Sequence, residues 1–179
     1  MVEIERLAEL LEALSTKETS LEDDRAEIIS FFGQASVRSI DFEAAVAALV
    51  SCGSQAAPVQ ALGETQACVV SLSEDVDGCA LGLVGFSRFD TAGAAWASEE
   101  PLWFSGPCPA ISPQLGGVFQ AVDDDGGLGW AVVLAVAIAL AKAARPSLFA
   151  RWPIDRPPVL AVGFVDGDLY RIGYGAIAA

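Results

Sequence analysis

Apolar residues recur at helical spacing along the first third of the chain. Ile4, Leu7, Ala8, Leu11 and Leu14 fall on one face of a helix, and Glu3, Glu5, Glu9 and Glu12 occupy the others. Ser20 reads as an N-cap ahead of Glu22, Asp23 and Asp24, whose charge suits a helix N-terminus. The helix that follows carries Ile28, Ile29 and Phe32 to a stop at Gly33. A third helix is predicted from about Asp41 through Phe42, Ala45, Val46 and Leu49, with Gly53 as its C-terminal signal.

Past Gly53 the pattern shortens. The runs QACVVSLS, CALGLVGFSR and EPLWFSG suit strands, and the acidic stretch Glu74 to Gly78 reads as a hairpin connection between the first two. Pro107, Pro109 and Pro113, followed by Gly116 and Gly117, predict an exposed loop, and GGVFQAV predicts a further strand. A buried helix is expected from about Leu128 to Ala144, ended by Pro146. VLAVGFV and DLYRIGYG then form a hairpin around Asp166 and Gly167. The expected fold is α+β: N-terminal helices, an antiparallel sheet, one long buried helix and a C-terminal β-hairpin. It forms a single domain over 1–179, helical to about residue 53 and mixed from about 54 to 179, with no internal repeat.

Charge narrows the function classes. The chain has no histidine, and its 24 acidic residues against 10 Lys and Arg give a formal charge of −14. Missing imidazole removes Ser-His-Asp and Cys-His chemistry, while carboxylate, lysine or tyrosine catalysis stays open. From Ser39 to Ala141 the one basic residue is Arg88, against twelve acids: Asp41, Glu43, Glu64, Glu74, Asp75, Asp77, Asp90, Glu99, Glu100, Asp123, Asp124 and Asp125. Such a field repels nucleic acid and anionic membranes and steers a basic protein toward the surface. It equally suits a soluble protein kept monomeric by self-repulsion.

Cys52, Cys68, Cys79 and Cys108 have wide, irregular spacings and no histidine to complete a mixed zinc site, so they read as reduced, buried small hydrophobes. The charged, amphipathic opening MVEIERLAELLEAL lacks the pattern of a signal peptide, which points to a cytoplasmic protein. LGWAVVLAVAIALA, Leu128 to Ala141, falls short of the roughly 20 residues of a membrane span and reads as a core helix.

Each candidate chemistry has a plainer competitor. Gly127-Leu-Gly129 resembles the start of a dinucleotide loop, but Val132 stands at the third glycine position and three aspartates precede it, which favours a helix start. Asp123, Asp124 and Asp125 suit a hard cation, yet Leu134 occupies the acid position of an EF-hand register, and Asp166 is better used in its turn than in a metal pair with Asp168. Glu99 and Glu100 beside Trp103 only loosely suggest a sugar site, and packing better explains Trp96, Trp103 and Phe104. No metal, cofactor or catalytic residue is assigned. What remains is a binding surface built from two segments that flank one predicted strand: Gln114, Leu115, Gly116 and Gly117, and Asp123, Asp124, Asp125, Gly126 and Gly127. Aspartate pairs with Arg or Lys, and glycine admits close backbone approach.

The opening MVEIERLAELLEAL, the helix-first order, the DDDGGLGW turn and the length together resemble the cytosolic immunity factor of the mycobacterial necrotizing toxin, over essentially the whole chain. The resemblance implies an antitoxin that binds a cognate NAD-degrading glycohydrolase and blocks its NAD pocket. The alternatives are a carboxylate-dependent hydrolase and a non-inhibitory, chaperone-like adaptor.

Overall fold

The computed structural model describes residues 4–75, 78–123, 128–153, 155–164, 167–173 and 175–177. Helix α1 (Ile4–Thr16) buries Leu7, Leu10, Leu11 and Leu14, the three- and four-residue steps of an amphipathic helix. Ile4 and Ala8, expected on that stripe, are exposed. Ser20 caps α2 (Leu21–Phe32) in a capping box: its hydroxyl accepts from the Asp23 N–H at 3.1 Å, and the Asp23 carboxylate accepts from the Ser20 N–H at 3.2 Å. The Ser20 hydroxyl, and next its N–H, hold the Asp23 carboxyl below the usual carboxylate range. Gly33, at φ 89°, ends the helix in a conformation that favours glycine.

A short α3 (Gln34–Val37) leads to α4 (Phe42–Ala56), whose N-cap Asp41 accepts from the Ala44 N–H at 3.0 Å. Gly53 is not its terminus. The glycine lies inside the helix and buried, because Leu148 and Leu83 pack where a side chain would stand.

Strands β1 (Ala67–Asp75) and β2 (Gly78–Phe86) form the expected antiparallel hairpin; Val76 and Asp77 of its connection lie outside the described residues. Strand β3 (Trp103–Pro107) pairs with β2 at one edge. The segment expected as loop and then strand is instead a helix, α5 (Ser112–Asp123). Pro113 falls in its first turn, where a missing N–H costs nothing, and Ile111, Leu115 and Val118 follow helical spacing into the core.

Helix α6 (Gly129–Leu148) runs through Pro146, which cannot donate to the Lys142 carbonyl, and stops two residues later. It is long and apolar enough to cross a membrane, yet fourteen of its twenty residues are buried, wrapped by α1, α2, α4, α5 and the sheet. Each fully buried Val, Leu or Ile there contributes about 1.5–3 kcal/mol of transfer free energy.

After α6 the chain enters β4 (Val159–Phe164), β5 (Leu169–Arg171) and β6 (Gly175–Ile177). β4 and β5 pair antiparallel, as the hairpin reading expects; Asp166 of its turn lies outside the described residues. β4 also joins β1 in parallel, made possible by the two-helix crossover, so the six-stranded sheet is mixed rather than antiparallel, in the order β3-β2-β1-β4-β5-β6. The fold is α+β.

Helices cover one sheet face. Cys68, Val70 and Leu72 of β1 point into the main core with Leu81, Leu83, Leu160 and Val162, while Ala67 and Val69 alternate to the other face. The cysteines divide. Cys68 and Cys79 are buried and outside the disulfide, but Cys52 of α4 and Cys108, ahead of α5, are bonded to each other with Cα atoms 6.2 Å apart. A separation of 56 residues left that pair invisible to spacing rules.

Candidate functional site: the sheet face left open by the helices

Two alternations create an open face. On β1, every second side chain points away from the helices, giving Ala67, Val69 and Ser71; on β2 the corresponding positions are Gly82, Val84 and Phe86, and on β4 they are Ala161 and Gly163. The chain between β2 and β3 folds over one half of this face. Its short 3-10 helix, Ala95–Ser98, inserts Trp96, whose ring meets Phe86 at 5.5 Å and Phe89 at 5.3 Å in edge-to-face contacts. The Arg171 guanidinium stands over Phe89 at 5.1 Å.

The other half is uncovered. There Val69, Ser71, Val84, Phe86, Phe104 and Leu169 line a groove of about 270 Å³, closed at its rim by Glu99 and Pro101 and at its far side by Phe164. Ser71 pairs in register with Gly82 on one side and Gly163 on the other. Those flanking positions lack side chains: a Cβ at Gly82 would meet the Gly106 carbonyl and then Phe104, and one at Gly163 the Asp168 carbonyl and then Leu169. Phe104 remains 60 % exposed, whereas Trp96 and Trp103 are core residues as expected.

Polar groups in the groove are few. Ser71 supplies a hydroxyl, and Glu99 a carboxylate that accepts from Arg88 at 2.9 Å. The pair is largely solvated, with 72 % and 41 % side-chain exposure, so it contributes at most about 1 kcal/mol and serves to orient the rim. Asp90 and Glu100 lie exposed on the same covering segment, which makes that rim acidic. Such a lining recognises an apolar group and favours a cationic surround.

The segments expected to bind a partner sit elsewhere. Gln114, Leu115, Gly116 and Gly117 occupy the first half of α5. Leu115 is fully buried and Gly116 is buried, so neither offers surface; Gly117 is exposed; and the Gln114 side chain accepts from the Asp41 N–H at 3.0 Å while donating to the Ala110 carbonyl at 2.8 Å. Asp123 ends the same helix, and Asp124, Asp125, Gly126 and Gly127 lie outside the described residues. Gln114 to Gly117 thus open the helix that Asp123 ends, and no strand lies between them. Gln114 and Asp123 are separated by nine residues, about 13 Å of helix rise.

Nor do the described acids of the middle stretch gather on one face. Asp41 and Glu43 sit at the start of α4 in the helical layer, while Asp90, Glu99 and Glu100 ride on the segment over the opposite sheet face. Sequence reasoning missed the groove. Its signal was the alternation of small residues with large ones, Gly82 and Gly163 with their neighbours, which is legible only once the register is known.

A second apolar depression, about 360 Å³, lies where α1, α6 and β5 meet; Ile4 (83 % exposed) and Trp130 (39 % exposed) are at its mouth. Tyr170 lines it, and burial, then the charges of Asp168 and Glu12, raise its phenol above the ordinary range. Burial likewise pushes the Cys68 thiol up. Among the described residues no group of three or more Cys, Asp or Glu side chains is arranged to hold a metal ion. No protein-family model, curated protein or solved structure matches this chain.

Proposed function

We propose that this chain is a binding protein of the immunity class its sequence resembles, holding a basic protein partner and blocking that partner's active site. The observation that carries the reading is the apolar groove over Ser71, walled by the exposed Phe104 and rimmed by acids. An aromatic or aliphatic side chain of the partner would anchor there, and the net charge of −14 would speed the encounter. With the resemblance, the partner is a cognate NAD-degrading toxin and the producing cell is protected in its cytoplasm.

The test is co-expression with such a glycohydrolase, scoring growth and NAD hydrolysis by the purified mixture. Rescue of growth with loss of hydrolysis, both weakened by Phe104→Asp, supports the proposal. A stable complex that still hydrolyses NAD favours the adaptor reading, and no complex at all removes partner binding.

A further inference from the structure

Three of the ten Lys and Arg in this acidic chain line one cavity. Lys17, Lys142 and Arg145 line a space of about 410 Å³ between the end of α1 and the last turns of α6, together with Gly173. Lys142 is fully engaged. Its ammonium donates to the Leu14 carbonyl at 2.9 Å, the Lys17 carbonyl at 3.0 Å, and Thr19 and Asp24 at 2.8 Å each, which neutralises both the carbonyl end of α1 and the buried acid. The other two cations are not engaged. Neither the Lys17 nor the Arg145 side chain has an ion pair or hydrogen bond among the described residues. Arg145 is half-buried, and its guanidinium stands beside Gly173, at φ 92°, within van der Waals reach of where a side chain there would begin.

With no acceptor among the described residues, the Arg145 guanidinium leaves its donors to the cavity, and its planar fork suits a tetrahedral or planar oxyanion. We propose that this cavity binds a phosphate group, free or esterified, with Arg145 as the bidentate donor and Lys17 as the second cation. The hydroxyls of Ser15 and Thr16 are already donated to the Glu12 carbonyl, so recognition rests on the two cations. Glu18 is the one carboxylate among the lining residues, and it weakens the site. The cavity is on the helical side of the molecule, distinct from the groove over Ser71, and the proposal stands or falls independently of the partner reading.

The experiment is titration of the intact protein with inorganic phosphate at constant ionic strength set by chloride, followed by amide chemical shifts, with succinate as a parallel arm. Saturable shifts around Lys17, Arg145 and Gly173 are expected with phosphate. Arg145→Gln and Lys17→Gln should each weaken binding about tenfold or more, one lost charge-assisted contact. Glu18→Gln should tighten it, and Arg156→Gln, at an exposed arginine elsewhere, should leave it unchanged. Lys17 is exposed, so its variant tests the site even if Arg145→Gln disturbs folding. Absence of saturable phosphate shifts, binding by succinate alone, or equal weakening by Arg156→Gln would overturn the proposal.

Discussion

Lys142 and Asp24 form a buried ion pair between α6 and α2, with 2.8 Å from the ammonium to each carboxylate oxygen and side-chain exposures of 13 % and 1 %. Thr19 donates to the same carboxylate, and the lysine also takes the Leu14 and Lys17 carbonyls. One polar cluster thereby ties α1, α2 and the connection between them to α6. Removing one partner leaves an uncompensated charge in the core, a loss of about 3–5 kcal/mol. Urea unfolding of Lys142→Met and Asp24→Leu should each show it, and the double variant carrying both changes should cost less than the two combined. Additive losses would mean that the two residues act separately.

The cysteine chemistry is countable. Without reductant, the native protein should react with a thiol reagent at close to none of its cysteines, since Cys68 and Cys79 are buried and Cys52 and Cys108 are bonded. Denatured but unreduced protein should yield two thiols, and denatured, reduced protein four. Closing a 56-residue loop stabilises by about 4 kcal/mol in the chain-entropy picture, so Cys52→Ser should lower stability against the oxidised parent far more than against the reduced one. Four thiols in unreduced, denatured protein would refute the bridge.

Gly85 is a close-packing position. The Trp103 indole occupies the space a Cβ would need, and its Nε1 donates to Thr65 Oγ1 at 3.1 Å inside the core. Gly85→Ala should overpack this corner by about 1–3 kcal/mol and shift the tryptophan emission. An unchanged spectrum together with unchanged melting would show that the ring moves aside freely.

At the groove, stability and binding should separate. Phe104 is 60 % exposed, so Phe104→Ala should change folding free energy by only about 0.5 kcal/mol. The same change should sharply reduce fluorescence of an apolar dye bound to the native protein. Equal dye binding in both proteins would move the apolar site away from the sheet face.

Tyr170 should make the protein alkali-sensitive. Its phenol is raised, by burial first and then by Asp168 and Glu12, so the folded state keeps a proton that the unfolded chain releases. That contribution is fully present below the ordinary tyrosine range, about 10, and is lost as pH rises through the folded value. Tyr170→Phe should flatten the fall in unfolding free energy above that range. A fall of the same slope in the variant would assign it to other groups.

Much of the helical layer was legible because its information is local. Ser20 with Asp23, Gly33, and the leucines of α1 act within four residues of one another, and a linear reading sees them. The α5 segment misled because Pro113, Gly116 and Gly117 are loop residues by propensity, and only burial of Ile111, Leu115 and Val118 overrides that preference. Gly53 misled in the same way, since a glycine that ends a helix and one that admits Leu148 look identical in sequence.

By itself the sequence determined the α+β class, the first hairpin, the buried α6 and the acidic balance, because periodicity, caps and composition are properties of neighbouring residues. Only the tertiary structure decided that β4 lies parallel to β1, that Cys52 meets Cys108, that Lys142 finds Asp24, and that Ser71 becomes the floor of an open groove. Each of these brings together residues more than fifty positions apart, or depends on which face of a two-sided strand the helices cover. That choice is made by packing the whole core at once, and no local pattern encodes it.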